Sequence, residues 1–284
     1  MSSTRFELNG AGYNLEIQGN GPALVLLHGF TGSAVAWRGF TAGFLETHRV
    51  IGLDALGHGL SDAPADPARY AMPQVAADFV ALLDKLELEN VALLGYSMGG
   101  RLALYLALTH PERVSRLILE SASPGLANTA VRQARTASDN ALAERLEREG
   151  VESFVAYWEK LPLWDSQVQL PASVRAVQHA LRLRNNPQGL ANSLRGMGTG
   201  VQPSLWERLP GLTIPTLLIA GELDQKFCEI GRQMQANLPD ARLAIVPGAG
   251  HTVHLERPSE FEYLVKEFCN CSGSAGEGPE AASC

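Results

Sequence analysis

The chain lacks the long apolar segments that membrane insertion and secretion require. No apolar run approaches the roughly 20 residues that a membrane-spanning helix needs. The N-terminal sequence MSSTRFELNG has no apolar core of the kind found in signal peptides. We therefore expect no membrane partner and a cytoplasmic location.

Positive charge and cysteine are also in short supply. Lys and Arg number 23 against 30 Asp and Glu, and the formal net charge of −7 argues against a nucleic acid or an anionic membrane as partner. Three of the four cysteines, Cys269, Cys271 and Cys284, lie at or beyond the end of the last predicted helix, so no disulfide framework is expected to cross the fold. Cys269 and Cys271 have no histidine at ligand spacing in the sequence, and we expect no metal there.

Apolar strands and helical segments alternate along most of the 284 residues, of which 45% are hydrophobic. No Pro- or Ser-rich linker and no internal repeat divides the chain. Strands are predicted at 5–9, 12–18, 23–27, 50–53, 91–94, 114–119, 216–219 and 242–246, and helices at 73–86, directly after residue 97, and at 259–268. This alternation predicts an α/β fold with a mostly parallel central sheet and helices on both faces.

Residues 127–208 interrupt the alternation. Strand-type runs vanish there, and helical patterns rich in Arg, Glu and Gln replace them. The segment predicts a helical cap inserted in a core made of residues 1–126 and 209–271, at the carboxyl ends of the strands, where open α/β sheets bind ligands. The last stretch, 272–284, reads SGSAGEGPEAASC, a composition that predicts a disordered tail.

A G-x-S-x-G motif lies between a predicted buried strand and a predicted helix. Gly95, Ser97 and Gly99 form it, after the apolar run at 91–94 and before a stretch rich in Leu and Ala. A sharp strand-to-helix turn strains the residue at its apex, and the flanking glycines let the backbones approach. The pattern predicts a nucleophile elbow with the Ser97 hydroxyl at the mouth of the sheet.

A serine nucleophile or base needs an imidazole and an acid to activate it. His251 follows the last predicted strand in a glycine-rich loop and is the preferred base over His254, one helical turn later. Asp224 follows the preceding strand and gives the chain order Ser–Asp–His of strand–turn–helix hydrolases. Glu120, after the strand that follows the elbow, is the alternative acid.

Two backbone N–H groups are candidates for an oxyanion hole. Met98 follows the elbow serine, and Phe30 lies in the His28-Gly29-Phe30 loop that follows the strand at 23–27. His28 is expected to order this loop rather than to take part in the reaction.

The motifs together resemble the α/β-hydrolase superfamily across residues 5–268: HGF, DALGHGLSD, GYSMGG and GAGHTVHLERP. A narrower resemblance is to the 2-succinyl-6-hydroxy-2,4-cyclohexadiene-1-carboxylate synthase (SHCHC synthase) family, lyases of menaquinone biosynthesis. This narrower resemblance rests on seven features of the sequence: GYSMGGR, ESASPGL at 120–126, an R-x-x-R pair at 132 and 135, Trp158, LRLRNN at 181–186, VQP at 201–203 and GELDQKF. The superfamily hosts many reactions, so the wider match predicts the fold alone.

The narrower resemblance implies elimination of pyruvate from a tricarboxylate, with Ser97 acting as base under His251 and Asp224. Such a substrate calls for fixed cations, and arginine binds carboxylates bidentately. The candidate substrate-binding residues are Arg101, Arg132, Arg135, Arg182, Lys226, Tyr96 and Trp158. No metal or organic cofactor is implied, and the oligomeric state is left open.

Two other functions fit the same residues. A serine hydrolase of esters or carbon–carbon bonds would use the same triad, and only the arginines favour the lyase. A non-catalytic small-molecule receptor on this fold is the second alternative, which an intact Ser97, Asp224 and His251 set argues against.

Overall fold

The computed structural model describes residues 2–270, and within them eight strands form one sheet. The strands are β1 Ser2–Leu8, β2 Ala11–Gln18, β3 Ala23–Leu27, β4 Arg49–Leu53, β5 Val91–Tyr96, β6 Val114–Glu120, β7 Thr216–Gly221 and β8 Ala241–Val246. Their spatial order is β1-β2-β4-β3-β5-β6-β7-β8. β1 and β2 pair antiparallel, as do β2 and β4. Each of the remaining neighbouring pairs, β4–β3, β3–β5, β5–β6, β6–β7 and β7–β8, is parallel.

The helices lie around this sheet and in the segment between β6 and β7. They are α1 Arg38–Thr41, α2 Met72–Lys85, α3 Met98–Thr109, α4 Thr129–Trp158, α5 Ala172–Leu183, α6 Pro187–Met197, α7 Gln225–Asn237, α8 Val253–Glu256 and α9 Pro258–Asn270. Gly150 leaves helical geometry inside α4, with φ 78°, so this long element is two helices joined at a break.

The central strands are buried on both faces, which explains their unbroken apolar runs. Every residue of β3 and β5 is buried. Side chains of alternate residues enter two apolar clusters, as Leu93 does on one face and Leu94 on the other. A third cluster, which includes Phe154 and Leu190, lies among α4 and α6 and gives the segment between β6 and β7 a small core of its own.

The N-terminal hairpin forms where the sequence predicts it. Leu8 pairs with Ala11, which leaves a two-residue turn of Asn9 and Gly10 with φ 47° and 82°. Both positive values are those of the tight turns that suit the right-handed twist of paired strands. The sequence analysis overlooked α7, although this helix follows the predicted acid Asp224 directly.

The expectations on cysteines, the C-terminal tail and membrane helices are tested only within the described residues. Cys228 and Cys269 form no disulfide within the part of the chain that the structure describes, and Cys271, Cys284 and the predicted tail at 272–284 lie outside it. Among the helices described here, none combines the length and the apolar character needed to cross a bilayer.

Candidate active site

Ser97 lies at the turn between β5 and α3 in a conformation that few non-glycine residues adopt, φ 50° and ψ −106°. The flanking glycines make the turn possible. A Cβ on Gly95 would lie 2.4 Å from the carbonyl oxygen of Gly99, and one on Gly99 would lie 2.2 Å from that of Leu27. Both approaches exclude any side chain, so the sharp turn requires glycine at both positions. The result is the strained elbow that the motif predicts.

Ser97, His251 and Asp224 form a continuous hydrogen-bonded chain. His251 Nε2 lies 3.1 Å from Ser97 Oγ, and His251 Nδ1 lies 2.6 Å from Asp224 Oδ2. Because the carboxylate accepts from Nδ1–H, Nε2 is left to accept the serine proton. The imidazole is 3% exposed, so water does not compete for these bonds. This arrangement can make the Ser97 oxygen a base or a nucleophile.

Aromatic rings hold the His251 imidazole from three sides. Its ring centroid lies 4.8 Å from that of Phe227, 5.5 Å from Tyr96 and 5.9 Å from Trp164. The Tyr96 hydroxyl shares a 2.8 Å hydrogen bond with Thr252 Oγ1, and burial raises the pKa of Tyr96 above its ordinary value. Tyr96 therefore stays neutral and serves here as a wall of the site.

The alternative acid, Glu120, is fully engaged elsewhere. Its carboxylate is completely buried and accepts from the backbone N–H of His254 at 3.0 Å and from His254 Nδ1 at 2.7 Å. His254 thus faces away from Ser97, as its spacing from His251 suggests. This second pair of acid and imidazole fastens α8 to the end of β6.

The two candidate oxyanion donors border the same cavity as Ser97. Met98 is the first residue of α3, and Phe30 lies in the loop after β3. His28 orders that loop: its Nδ1–H donates to Gly29 O at 2.7 Å, and its Nε2 accepts from Ala55 N–H at 3.0 Å. Burial lowers the pKa of His28, which keeps the ring neutral and both bonds intact.

The cavity above Ser97 has a volume of about 620 Å³ and extends under the helices between β6 and β7. Its aromatic wall includes Trp158 and Trp164. Within the described residues, the charged side chains that line it are three cations and one carboxylate: Arg101, Arg135, Lys226 and Asp139. An excess of positive charge in a protein of net charge −7 suits an anionic ligand.

Arg101 is the cation nearest to Ser97 in sequence and is held from one side. Its Nη1 donates to Met197 O at 2.7 Å and to Gln202 Oε1 at 3.0 Å. Burial, followed by repulsion from Arg135, lowers the pKa of Arg101 to about 10. The guanidinium remains charged at neutral pH, and a ligand carboxylate would relieve an unfavourable environment.

Arg135 and Lys226 reach the cavity from α4 and α7. Arg135 Nε donates to Asp139 Oδ1 at 2.8 Å across one helical turn, and Asp139 Oδ2 is buried with no hydrogen-bond partner among residues 2–270. The Lys226 ammonium lies 5.5 Å from the ring centroid of Phe227, the ring that packs against the His251 imidazole. Both side chains stand where the sequence analysis expects substrate-binding cations.

The structure does not bring Arg132 and Arg182 into this cavity, contrary to expectation. Arg132 borders a separate surface recess on the outer side of α4. Arg182 Nη1 donates to Glu159 at 2.7 Å, and its guanidinium lies 5.1 Å from the ring centroid of Trp164, on a small space next to the main cavity. The Arg182 guanidinium is thus bound to Glu159 and packed on Trp164 rather than directed into the main cavity.

Comparisons with known proteins identify the fold and the family. A family model described as the alpha/beta hydrolase fold matches residues 22–258. A Bacillus subtilis (strain 168) protein provisionally named 2-succinyl-6-hydroxy-2,4-cyclohexadiene-1-carboxylate synthase is 50% identical over 246 residues, 87% of this chain and 89% of that protein. The chain belongs to the SHCHC synthase family of the α/β hydrolases.

More distant members of the SHCHC synthase family match over nearly the same length. The enzyme of that name from Serratia proteamaculans (strain 568) is 34% identical over 87% of this chain and 92% of its own. The solved structure of MenH from S. aureus superposes with a TM-score of 0.86 at 36% identity, covering 90% of this chain and 97% of that one. Both the predicted fold and the predicted family are confirmed.

The sequence analysis missed several residues around this SHCHC synthase family site. Asp139 and Trp164 lie outside the motifs of the sequence analysis, and Gln202 and Phe227 lie in its VQP and GELDQKF segments without being named there as site residues. Phe227 follows Asp224 within the α7 that was overlooked, so recognising that helix would have placed it beside the acid. Asp139 lies four residues after Arg135, a spacing that pairs charges on a helix and was the available signal.

Proposed function

We propose that the chain is a carbon–oxygen lyase that eliminates pyruvate from 2-succinyl-5-enolpyruvyl-6-hydroxy-3-cyclohexene-1-carboxylate. The single observation that supports it most is the combination of a hydrogen-bonded Ser97–His251–Asp224 set with the cationic cavity above Ser97. The ring product of this elimination is 2-succinyl-6-hydroxy-2,4-cyclohexadiene-1-carboxylate. The related proteins from Bacillus subtilis and Serratia proteamaculans are named as synthases of this compound.

The reaction needs one base and one acceptor of negative charge. In the proposed mechanism the Ser97 proton passes to His251 Nε2, and the serine oxygen removes the ring proton at C2, beside the succinyl carbonyl. The electron pair forms the C2–C3 double bond, the C3=C4 double bond shifts to C4–C5, and the C5–O bond breaks. Enolpyruvate leaves, takes up the proton from His251 and becomes pyruvate. Neither water nor a covalent acyl-enzyme takes part.

Charge that develops on the succinyl carbonyl oxygen would be stabilised by the backbone N–H groups of Phe30 and Met98. Both residues border the cavity on the side of Ser97. Asp224 would fix the tautomer of His251 and stabilise its cation, as the acid of a serine triad does. No cofactor enters this mechanism, because side chains and backbone dipoles handle each proton and charge.

Arg101, Arg135 and Lys226 are the proposed partners of the substrate carboxylates. All three line the cavity, and a guanidinium holds a carboxylate through two parallel hydrogen bonds. The rings of Tyr96, Trp158 and Trp164 would enclose the apolar part of the carbocycle. Arg132 has no place in this proposal, and Arg182 acts at most by supporting Trp164.

We further propose the division of the chain into a core of residues 1–126 and 209–271 and a cap of residues 127–208. The helical elements between β6 and β7 have their own apolar cluster and cover the cavity. Closure by a cap would exclude water and strengthen each ion pair with the substrate.

Two substrates given to the same purified protein test the proposal. We expect release of pyruvate from the enolpyruvyl tricarboxylate and slow turnover of p-nitrophenyl acetate, because the cations recognise carboxylates that the ester lacks. Ser97→Ala should retain the fold and lose most of the pyruvate release. Rapid ester hydrolysis without pyruvate would replace the lyase by a serine hydrolase.

A further inference from the structure

Asn185, in the LRLRNN segment that ends α5, joins the cap region to two loops of the core. The side chain is 4% exposed. Its Nδ2 donates to Thr31 O at 2.8 Å and to Arg182 O at 3.1 Å, and its Oδ1 accepts from Gly59 N–H at 3.1 Å. A backbone N–H can only donate and a carbonyl can only accept, so one orientation of the amide satisfies all three bonds.

The Thr31 carbonyl that Asn185 binds belongs to a strained residue. Thr31 has φ 67°, in the left-handed region, where a β-branched side chain is a true outlier. Such a conformation persists only when surrounding contacts hold it. Thr31 directly follows Phe30, and a change in the backbone of Thr31 would move the peptide next to the proposed oxyanion donor.

The loop around Phe30 is held from below by the core and from above by the cap region. From below, His28 bonds Gly29 O and Ala55 N–H, and Gly32 N–H donates to Gly29 O at 3.0 Å. These bonds involve the residues on either side of the Phe30–Thr31 peptide. From above, Asn185 binds the Thr31 carbonyl, and the Phe30 ring lies edge-on to Trp158 of α4 with centroids 5.4 Å apart.

We infer that Asn185 is a positioning residue that holds the strained Thr31 backbone and thereby aims the Phe30 N–H at the reacting oxygen. This role rests on the proposed function, because it takes Phe30 as an oxyanion donor. Its consequence is that the oxyanion hole is complete only when the cap region is seated on the core.

The test uses five variants and two substrates. Asn185→Ala removes the whole contact, and Asn185→Asp keeps the size and the acceptor for Gly59 N–H but loses the donor to Thr31. Thr31→Gly, alone and combined with Asn185→Ala, removes the strain, because glycine adopts positive φ freely. Asn186→Ala is the matched control, because the neighbouring asparagine uses its side chain to cap α6, accepting a 3.0 Å hydrogen bond from Gly189 N–H.

Loss of one oxyanion donor lowers kcat about 10²–10³-fold in serine enzymes, and a misdirected donor should lose part of that. We expect Asn185→Ala and Asn185→Asp to lower kcat for pyruvate release roughly 10- to 100-fold, with KM changed less than about threefold. Thr31→Gly should restore kcat of the Asn185→Ala protein to within about threefold of Thr31→Gly alone. Asn186→Ala should keep the kcat of the original protein.

Each contrary result overturns the inference. An unchanged kcat in Asn185→Asp, a rise in KM alone, or a loss of kcat that Thr31→Gly fails to restore would each assign Asn185 another role. If Asn185→Ala does not fold, Asn185→Asp decides the question. If the original protein hydrolyses p-nitrophenyl acetate but releases no pyruvate, the proposed function fails, and the same comparison on the ester decides the role of Asn185. Activity on neither substrate contradicts both.

Discussion

Replacing Arg101 by methionine separates its contribution to activity from its contribution to folding. In the absence of substrate the charged guanidinium is destabilised, because burial lowers the pKa of Arg101 from its ordinary value to about 10. Allowing for its partial exposure, that shift corresponds to roughly 1–3 kcal/mol that the folded protein loses by burying the charge. Methionine has a similar length and carries no charge.

The substitution also removes two hydrogen bonds, those to Met197 O and Gln202 Oε1. An unpaired buried acceptor costs about 1–3 kcal/mol, less where water in the cavity can replace the donor. The two effects oppose each other. We expect the free energy of unfolding of Arg101→Met, measured by urea denaturation, to change by less than about 2 kcal/mol.

Activity should respond much more strongly than stability. If Arg101 holds a substrate carboxylate in the transition state, its loss should cost about 2–5 kcal/mol in kcat/KM, or roughly 30- to 5,000-fold. Arg101→Lys should also be impaired, because an ammonium cannot reproduce the planar fork. Steady-state pyruvate release measures both.

An arginine of α4 that lies outside the cavity is the control. Arg132 borders a surface recess outside the cavity, and Arg132→Met should leave kcat/KM unchanged. An Arg101→Met protein with kcat/KM within threefold of the original would remove Arg101 from the substrate site. A loss of more than about 4 kcal/mol in unfolding free energy would show that the residue acts mainly in folding.

Three further substitutions test other parts of the structure. Asp224→Asn should lower kcat roughly 10³–10⁴-fold, because an amide cannot fix the tautomer of His251 or stabilise its cation; Glu120→Gln losing as much would mean that the acid is misassigned. Burial, followed by repulsion from His28, lowers the pKa of His58 to about 3 from 6.5. The unfolded chain therefore binds more protons between these values, and stability falls as pH drops from about 6.5 towards 3. The free energy of unfolding should fall about 2 kcal/mol less between pH 7 and pH 5 in His58→Gln than in the original protein. An equal fall in both proteins would contradict a buried, neutral His58 ring. Gly99→Ala should give little folded protein by circular dichroism, because its Cβ would meet Leu27 O at 2.2 Å; a folded, active variant would refute the close packing of the elbow.

The parts of the site that the sequence predicts are those that backbone geometry fixes. Ser97, Asp224 and His251 each follow a strand of one parallel sheet, and the carboxyl ends of such strands meet at one edge. Their motifs and chain order are therefore sufficient to bring them together. The glycines of the elbow carry the same information, because only glycine fits at positions 95 and 99.

The side chains of the helices between β6 and β7 were harder to predict, because helical spacing does not specify which face of a helix meets a cavity. Arg132 and Arg135 lie one turn apart on α4, yet only Arg135 borders the space above Ser97. The orientation of α4 depends on apolar contacts with α6 and on its break at Gly150. The local sequence pattern does not predict this orientation. Trp164 lies in a short irregular helical segment without apolar periodicity, so its position beside His251 depends on tertiary packing.

The central claim is that Ser97 removes the ring proton at C2 while pyruvate leaves. Single-turnover release of pyruvate from substrate carrying deuterium at C2 tests it most directly, because product release cannot mask the step under these conditions. We expect slower release from the deuterated compound, a conjugated diene formed in equal amount to pyruvate, and no covalent adduct on Ser97. Equal rates for both compounds together with an acyl group trapped on Ser97 would contradict the account.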